Sequence, residues 1–375
     1  MGSGSDRGRT LGLDSNTRVL VTGGFGFLGG HLLERLLSAG VRRVHVVDNL
    51  TSNPVPIEVL LGELPHTESL TYDFVSVKDY FAGAPEPFDV IFHLASVVGP
   101  AGVLRHGGRI VASIVEDTYL LADFALDRGA RLVDISTSEV YGGGQQGLCA
   151  EDIDKVVPAR TSYRVEYAVA KLAAETALIN LEVRHGLDVV IVRPFNVAGP
   201  RQSGDGGFVV PRFLAQARFG LPLTIFGAGR ARRAFSHVED LTAGILLAAT
   251  RGVRGLAYNL GNHQNVLTID QLADCVLRVT GATSEKRYVD PETIYGPSFA
   301  EANDKFPAAG RAISELGWKP EKNVDQIVGD AWEYMQAASP ETFARLAGEK
   351  LMEQLVEAQT TPQPQARAAA TAANQ

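Results

Sequence analysis

Residues 18–29 read Arg-Val-Leu-Val-Thr-Gly-Gly-Phe-Gly-Phe-Leu-Gly. The β-branched run over 18–22 predicts a strand, and the amphipathic pattern over 27–39 predicts a helix. Gly23, Gly26 and Gly29 punctuate the turn between them, and Phe27 and Leu28 open the helix. A backbone that turns this sharply, and then lets a pyrophosphate reach a helix N-terminus, needs residues without side chains at those points. The free N–H groups and the helix dipole favour the phosphate charge. Glycine-rich turns are common, so the turn counts because it lies between a strand and a helix. An acid should follow about 20 residues on, at the end of the next strand, to hold a ribose 2′-OH. Asp48 stands there, in Val46-Val47-Asp48-Asn49-Leu50. Such an acid repels a 2′-phosphate and favours NAD over NADP.

Outward from this turn, strand-like and helix-like stretches alternate. Strands are expected over 43–47, 89–94, 131–136 and 188–193, and helices over 109–128 and 162–185. The strands are almost continuously apolar, as parallel strands covered on both faces are. The alternation implies an α/β fold with a doubly wound parallel sheet of the Rossmann type. After about residue 200, Gly and Pro become frequent and the elements shorten. A nucleotide-binding domain is therefore expected over 17–200. A smaller, mixed α/β substrate lobe, interleaved with it, is expected over 201–340. Residues 1–16 and 359–375 lack periodicity and are expected to be disordered tails.

The 375-residue chain is 45% hydrophobic and 21% charged, with a formal net charge of -8. The acidic balance argues against nucleic acid or an anionic membrane as the main partner, while a local arginine pocket can still hold phosphate. Cys149 and Cys275 show no metal-type spacing and are expected to be reduced thiols in the cytoplasm. The eight histidines show no ligand spacing, so no metal is expected. No apolar run of about 18 residues is present, so no membrane span is expected.

Tyr167-Ala168-Val169-Ala170-Lys171 falls on the long expected helix, and the i, i+4 spacing puts the phenol and the ammonium on one face. A phenol of pKa about 10 is a poor base at neutral pH. A nearby ammonium is expected to lower it, so that the pair can exchange a proton with a hydroxyl while hydride moves to a nicotinamide. His93 reads as a packed strand residue rather than a catalyst.

With these residues in place, the chain resembles the extended short-chain dehydrogenase/reductases, in particular the sugar-nucleotide epimerase/dehydratase group. The resemblance covers roughly residues 17–334. It rests on TGGFGFLGG, FHLAS, STSEVYG, YAVAK, RPFNVAGPRQ and RRAFSHVEDL. It implies that Asp73 lies near the adenine, that Leu94 and Ala95 line the cofactor cleft, and that the segment holding Arg193 and Pro194 passes the nicotinamide. It implies Thr137 as hydrogen-bond partner of the reacting hydroxyl, Tyr167 as acid/base and Lys171 as its partner. Ser138 and Asn196 would face the sugar diphosphate. Val209, Thr224 and Phe226 would frame the base, and Arg233 would clamp the diphosphate with its fork of donors. Thr137 and Ser138 have a second reading as turn caps, and Arg233 as a surface charge beside Arg230 and Arg232.

Members of this group oxidise the sugar at C4, after which epimerisation, dehydration or decarboxylation is open. Glu139 bears on the choice. Ser138 stands where the 4,6-dehydratases carry Asp, which counts against dehydration. Thr137-Ser138-Glu139-Val140-Tyr141-Gly142 is similar to the UDP-glucuronate decarboxylases. The residues around Tyr167 and the stretch Glu301 to Pro307, which lacks their Arg-Lys-Pro-Asp pattern, depart from it. The sequence leans to a UDP-glucuronate decarboxylase, with a UDP-sugar 4-epimerase as the alternative. The resemblance also implies a homodimer through a four-helix bundle. Leu120, Leu121, Phe124, Ala173, Ala177 and Leu181 are either its apolar stripe or internal core.

Overall fold

The computed structural model describes residues 11–142, 148–159, 162–290, 292–295, 304–348 and 351–353. Among these, seven strands form one parallel sheet: β1 (Arg18–Thr22), β2 (Arg43–Val47), β3 (Leu70–Asp73), β4 (Val90–His93), β5 (Arg131–Ile135), β6 (Val189–Pro194) and β7 (Ala257–Leu260). Their order is β3-β2-β1-β4-β5-β6-β7. The apolar runs follow from cover on both faces. Val19, Val21, Val90, Phe92 and Val133 pack with Leu32, Leu33 and Leu36 of α1 (Phe27–Ser38). Leu20, Ile91, Leu132, Val189 and Ile191 point the other way. They meet Leu121 of α2 (Ile110–Arg128) and Leu178 of α3 (Tyr163–His185). Fully burying one such side chain contributes about 1.5–3 kcal/mol.

From β1 the sheet grows to β2 and β3 on one side and to β4 on the other. The crevice beyond the carboxyl ends of β1 and β4 is therefore the switch point at which such sheets bind ligands. β7 comes from beyond residue 200 and pairs with β6, Ala257 opposite Ile191. The rest of the lobe packs α4 (Val209–Arg218) and the helices Ile269–Thr280 and Val324–Ala337 around short strand pairs. The latter two helices begin in reciprocal capping boxes, Thr268 with Gln271 and Asn323 with Gln326.

Two expectations change. Residues 11–16 are not a loose tail: Leu11 N donates to Thr250 O at 2.9 Å, and Leu11 and Leu13 pack on the core. Residues 1–10 and 359–375 lie outside the described residues. Leu121 is fully buried between sheet and helices and is internal core, whereas Ala173, Ala177 and Leu181 line an open groove with Tyr119 and Leu172. Cys149 and Cys275 are free and buried. Among the described residues no helix is long and apolar enough to cross a membrane.

Candidate active site

At the end of β1 the chain turns on Gly23, whose φ of +72° favours glycine. Gly23 N donates to Val47 O at 2.8 Å, and Gly26 N to Gly23 O at 3.2 Å. A Cβ on Gly23 would lie 2.7 Å from Ala95 N, and one on Gly29 would lie 2.2 Å from Gly23 O. The turn is thus folded tightly on itself and against Leu94 and Ala95, and leads into the N-terminus of α1, whose N-cap Gly26 supplies no side-chain cap. Gly29→Ala is expected to push this turn apart. Titration with NAD followed by protein fluorescence should show an affinity at least about tenfold weaker, because the clash is with backbone.

Asp48 closes the same turn from the other side. It is 9% exposed; its Oδ2 accepts from Phe25 N at 2.9 Å and its Oδ1 from Leu50 N at 2.8 Å. Burial pushes its carboxyl up, and these two bonds pull it back. Each oxygen retains a lone pair for a further donor. Asp73 lies at the end of β3, where its carbonyl accepts from Asp48 N at 3.2 Å. Its carboxylate sits 3.1 Å from His45 Nε2. Phe27 meets His31 edge to face, with ring centres 5.8 Å apart, and Leu28 packs on the core.

Tyr167 and Lys171 lie one turn apart on α3, 8% and 2% exposed. The Tyr167 hydroxyl hydrogen-bonds Thr137, whose Oγ1 also accepts from Glu139 N at 3.1 Å. Thr137 therefore caps the short turn Ser138–Tyr141 and also meets the phenol. Ser138 is buried in that turn. The expected lowering of the phenol is corrected here. Burial, and then the Glu139 charge, hold Tyr167 above the ordinary phenol range, with the Thr137 bond acting in the opposite direction. The physical reason is that the phenol is buried beside a carboxylate, while the Lys171 ammonium donates to Ile135 O at 2.8 Å, on the sheet.

Burial alone would raise the Glu139 carboxyl. Lys305 Nζ at 2.7 Å and Arg164 Nη1 at 3.0 Å outweigh it and hold the group at about 2. Arg164 stands one helical turn before Tyr167. Lys305 arrives from far along the chain because Phe306–Pro307 pairs with Leu148–Cys149. A backbone bridge sets Arg233 beside Lys305, and the Arg233 guanidinium lies 3.9 Å from Asp304 Oδ1. Asn196, with φ +34°, donates through Nδ2 to Ala234 O at 3.2 Å, and Ser236 N donates to its carbonyl at 3.1 Å. One continuous strip thus links Tyr167, Thr137, Glu139, Lys305, Arg233 and Asn196.

Arg193 and the residues expected around the base are engaged elsewhere. Arg193 grips Glu175 by two bonds, 2.9 Å and 2.5 Å, and donates to Tyr141 OH at 2.8 Å. Pro194 ends β6, and Phe195 beyond it is fully buried. Beyond residue 200, Gln216 Nε2 donates to the Thr224 hydroxyl at 2.6 Å, and its Oε1 accepts from Thr224 N at 3.1 Å. The Arg212 guanidinium stacks 4.3 Å from the Phe226 ring centre, and Val209 begins α4 nearby in sequence.

A profile described as the NAD dependent epimerase/dehydratase family matches residues 19–261. The chain belongs to this family. It is 31% identical to a UDP-N-acetyl-alpha-D-glucosaminuronate decarboxylase of Bacillus cytotoxicus, over 77% of this chain and 88% of that protein. It is also 31% identical to UDP-glucuronic acid decarboxylase 1 of Xenopus tropicalis, over 81% of this chain and 68% of the other. Among solved structures, UDP-glucose 4-epimerase of Thermotoga maritima superposes with a TM-score of 0.74 at 26% identity, covering 85% of this chain and 99% of that one. This member of the NAD dependent epimerase/dehydratase family is therefore an enzyme, and NAD is its cofactor. The turn fits that group: a cradle that a Cβ would fill, a helix start without a side-chain cap, and Asp48 at the end of β2. Arg164 and Lys305 had no assigned part in the sequence reading. Arg164 could have been found from its i, i+3 spacing to Tyr167, whereas no local signal marked Lys305.

Proposed function

We propose that the enzyme acts on a UDP-uronate and releases its carboxylate as carbon dioxide, through transient oxidation at C4. The observation that carries this reading is the cluster at Glu139. Three cations, Arg164, Lys305 and Arg233, stand around Glu139 and Asp304 beside Tyr167. Cations clustered there suit a sugar that brings a carboxylate as well as a diphosphate. The decarboxylase relatives support the same reading.

In this scheme the amides of residues 23–29 hold the pyrophosphate and Asp48 the ribose. When bound, NAD supplies the acceptor for the C4 hydride and, after carbon dioxide has left, the donor that returns it to C4, where Tyr167 gives back the proton, so that a UDP-pentose results. Thr137 orients the C4 hydroxyl, and Tyr167 takes its proton. The resulting C4 ketone lies β to the C6 carboxylate. The C5–C6 bond then breaks, its electron pair passing toward the ketone as carbon dioxide leaves, and C5 afterwards takes up a proton. Glu139, held ionised by two cations, has no proton to give near neutrality. Its part is to fix Lys305 and Arg164. Asn196 and Arg233 hold the diphosphate. A second copy of the chain would pack on the open groove of Ala173, Ala177 and Leu181, beside Val183, which is 71% exposed.

Incubation with UDP-glucuronate and NAD, followed by NMR, is expected to give a UDP-pentose and carbon dioxide. A UDP-galacturonate product without carbon dioxide would replace this reading with 4-epimerisation. Lys305→Met is expected to lower kcat/KM for the uronate by about 10²-fold, the worth of one charge-assisted contact in a dry site, with NAD affinity unchanged.

A further inference from the structure

A polar row crosses the carboxyl edge of the sheet, apart from the strip above. β1 and β4 pair with Thr22 opposite His93, and β4 and β5 pair with His93 opposite Asp134. Thr22 Oγ1 and His93 Nδ1 are 2.8 Å apart. Residues two apart on a strand share a face. Leu132 lies in the core beneath α2 and α3, so Asp134 points into that same layer. It is 1% exposed and, among the described residues, neither of its carboxylate oxygens has a hydrogen-bond partner. A carboxylate in such a place is strongly destabilising unless a cation faces it. The cation is Lys171, whose ammonium is held on the carbonyl of Ile135, the next residue of β5.

We propose that Asp134 is the buried counter-ion that keeps Lys171 an ammonium, and so acts as a positioning residue for the Tyr167–Lys171 pair. The inference rests on the role proposed above for that pair. Three other groups face Lys171: Glu175 one turn along α3, Asp117 from α2 and His93 from β4. Glu175 is already held by Arg193 and by the Ser136 hydroxyl. Asp117 lies next to Glu116, which pairs with Lys78 at 2.7 Å. Burial holds His93 at about 3, so it is neutral. Asp117, like Asp134, has no hydrogen bond or ion pair of its own among the described residues, but it is only half-buried, so Asp134 is the fully buried carboxylate of this group without such a partner. Burial pushes it up to about 6, and Lys171 opposes that shift. Burial likewise drives Lys171 down, and Asp134 is the foremost charge drawing it back. Without Asp134, Lys171 gives up its proton at lower pH, and turnover falls off earlier on the alkaline side.

The test uses the full chain with NAD bound, as wild type, Asp134→Asn and Asp134→Leu. Lys171 is followed by NMR of protein labelled with 15N at the lysine Nζ, its signal assigned by Lys171→Met. Its titration midpoint is expected to fall by about one unit or more in both variants, a tenfold change in its ionisation. The alkaline limb of the kcat profile with the nucleotide sugar should move the same way. Asp134→Leu should also lower the melting temperature, because it leaves the buried Lys171 ammonium without its counter-ion. Circular dichroism of each variant below its melting temperature checks that the midpoint is read on folded protein. An unchanged Lys171 midpoint in either folded variant overturns the proposal. The midpoint is read without a sugar, so it does not depend on the reaction assigned above. That assignment is tested separately by Tyr167→Phe.

Discussion

Tyr167→Phe is expected to reduce kcat by about 10²–10⁴-fold, the usual worth of a positioned acid/base group, and to leave NAD affinity within about twofold, since only a transition-state contact is removed. The ring stays in its cluster with Val103, Ile114, Ala170 and Ala174, so the fold keeps its packing. One hydrogen bond, to Thr137, is lost, worth about 1 kcal/mol. Stopped-flow detection of reduced cofactor should show the first oxidation slowed along with overall turnover. Because the phenol sits above its ordinary range in the free enzyme, the base form grows as pH rises, and wild-type kcat/KM should climb through the neutral range. A Tyr167→Phe enzyme that turns over at the wild-type rate removes Tyr167 from the chemistry.

The second large effect is on stability. Arg193 and Glu175 are 5% and 2% exposed at their side chains and are joined by two bonds. Arg193 also holds Tyr141 OH and, at 3.2 Å, the carbonyl of Glu151. Tyr141 OH in turn donates to Asn259 Oδ1 at 2.7 Å. Arg193→Met strands a buried carboxylate and should cost about 3–5 kcal/mol. For a chain of this size that lowers the melting temperature by on the order of 10 °C. Adding Glu175→Leu should recover most of the loss, since a well-packed apolar pair often matches a buried ion pair. Calorimetry on the single and double variants decides it: a loss under about 1 kcal/mol in the single variant means that the network is not what holds this face.

The turn over 23–29 was legible because its geometry admits no side chain at Gly23 or Gly29, and such a requirement is local in sequence. The strands at the centre of the sheet were legible because both of their faces are covered. β3 was not seen as a strand. It is an edge strand in which only Leu70 is buried, so it carries no apolar run. β7, although wholly buried, reads Ala-Tyr-Asn-Leu, and its Asn259 serves Tyr141 and Cys149 O rather than the apolar core. At the site, spacing placed Tyr167 and Lys171 on one face of a helix. It could not say that a strand carbonyl would take the ammonium. Lys305 was illegible for a different reason: a two-residue strand pairing delivers it, and so short a pairing leaves no pattern in the sequence.

The origin of β7 decides how far the chain can be divided. A fragment ending near residue 200 would leave β6, buried along most of its length, as an open apolar edge. Such an edge is a template for pairing with other chains. The segment that covers it is made only after α4 and α5 (Val238–Arg251) have been laid down. Nucleotide-binding half and lobe therefore mature as one cooperative unit. A nascent chain emerging from the ribosome carries an unprotected strand until more than fifty further residues, from Pro194 to Ala257, have followed it.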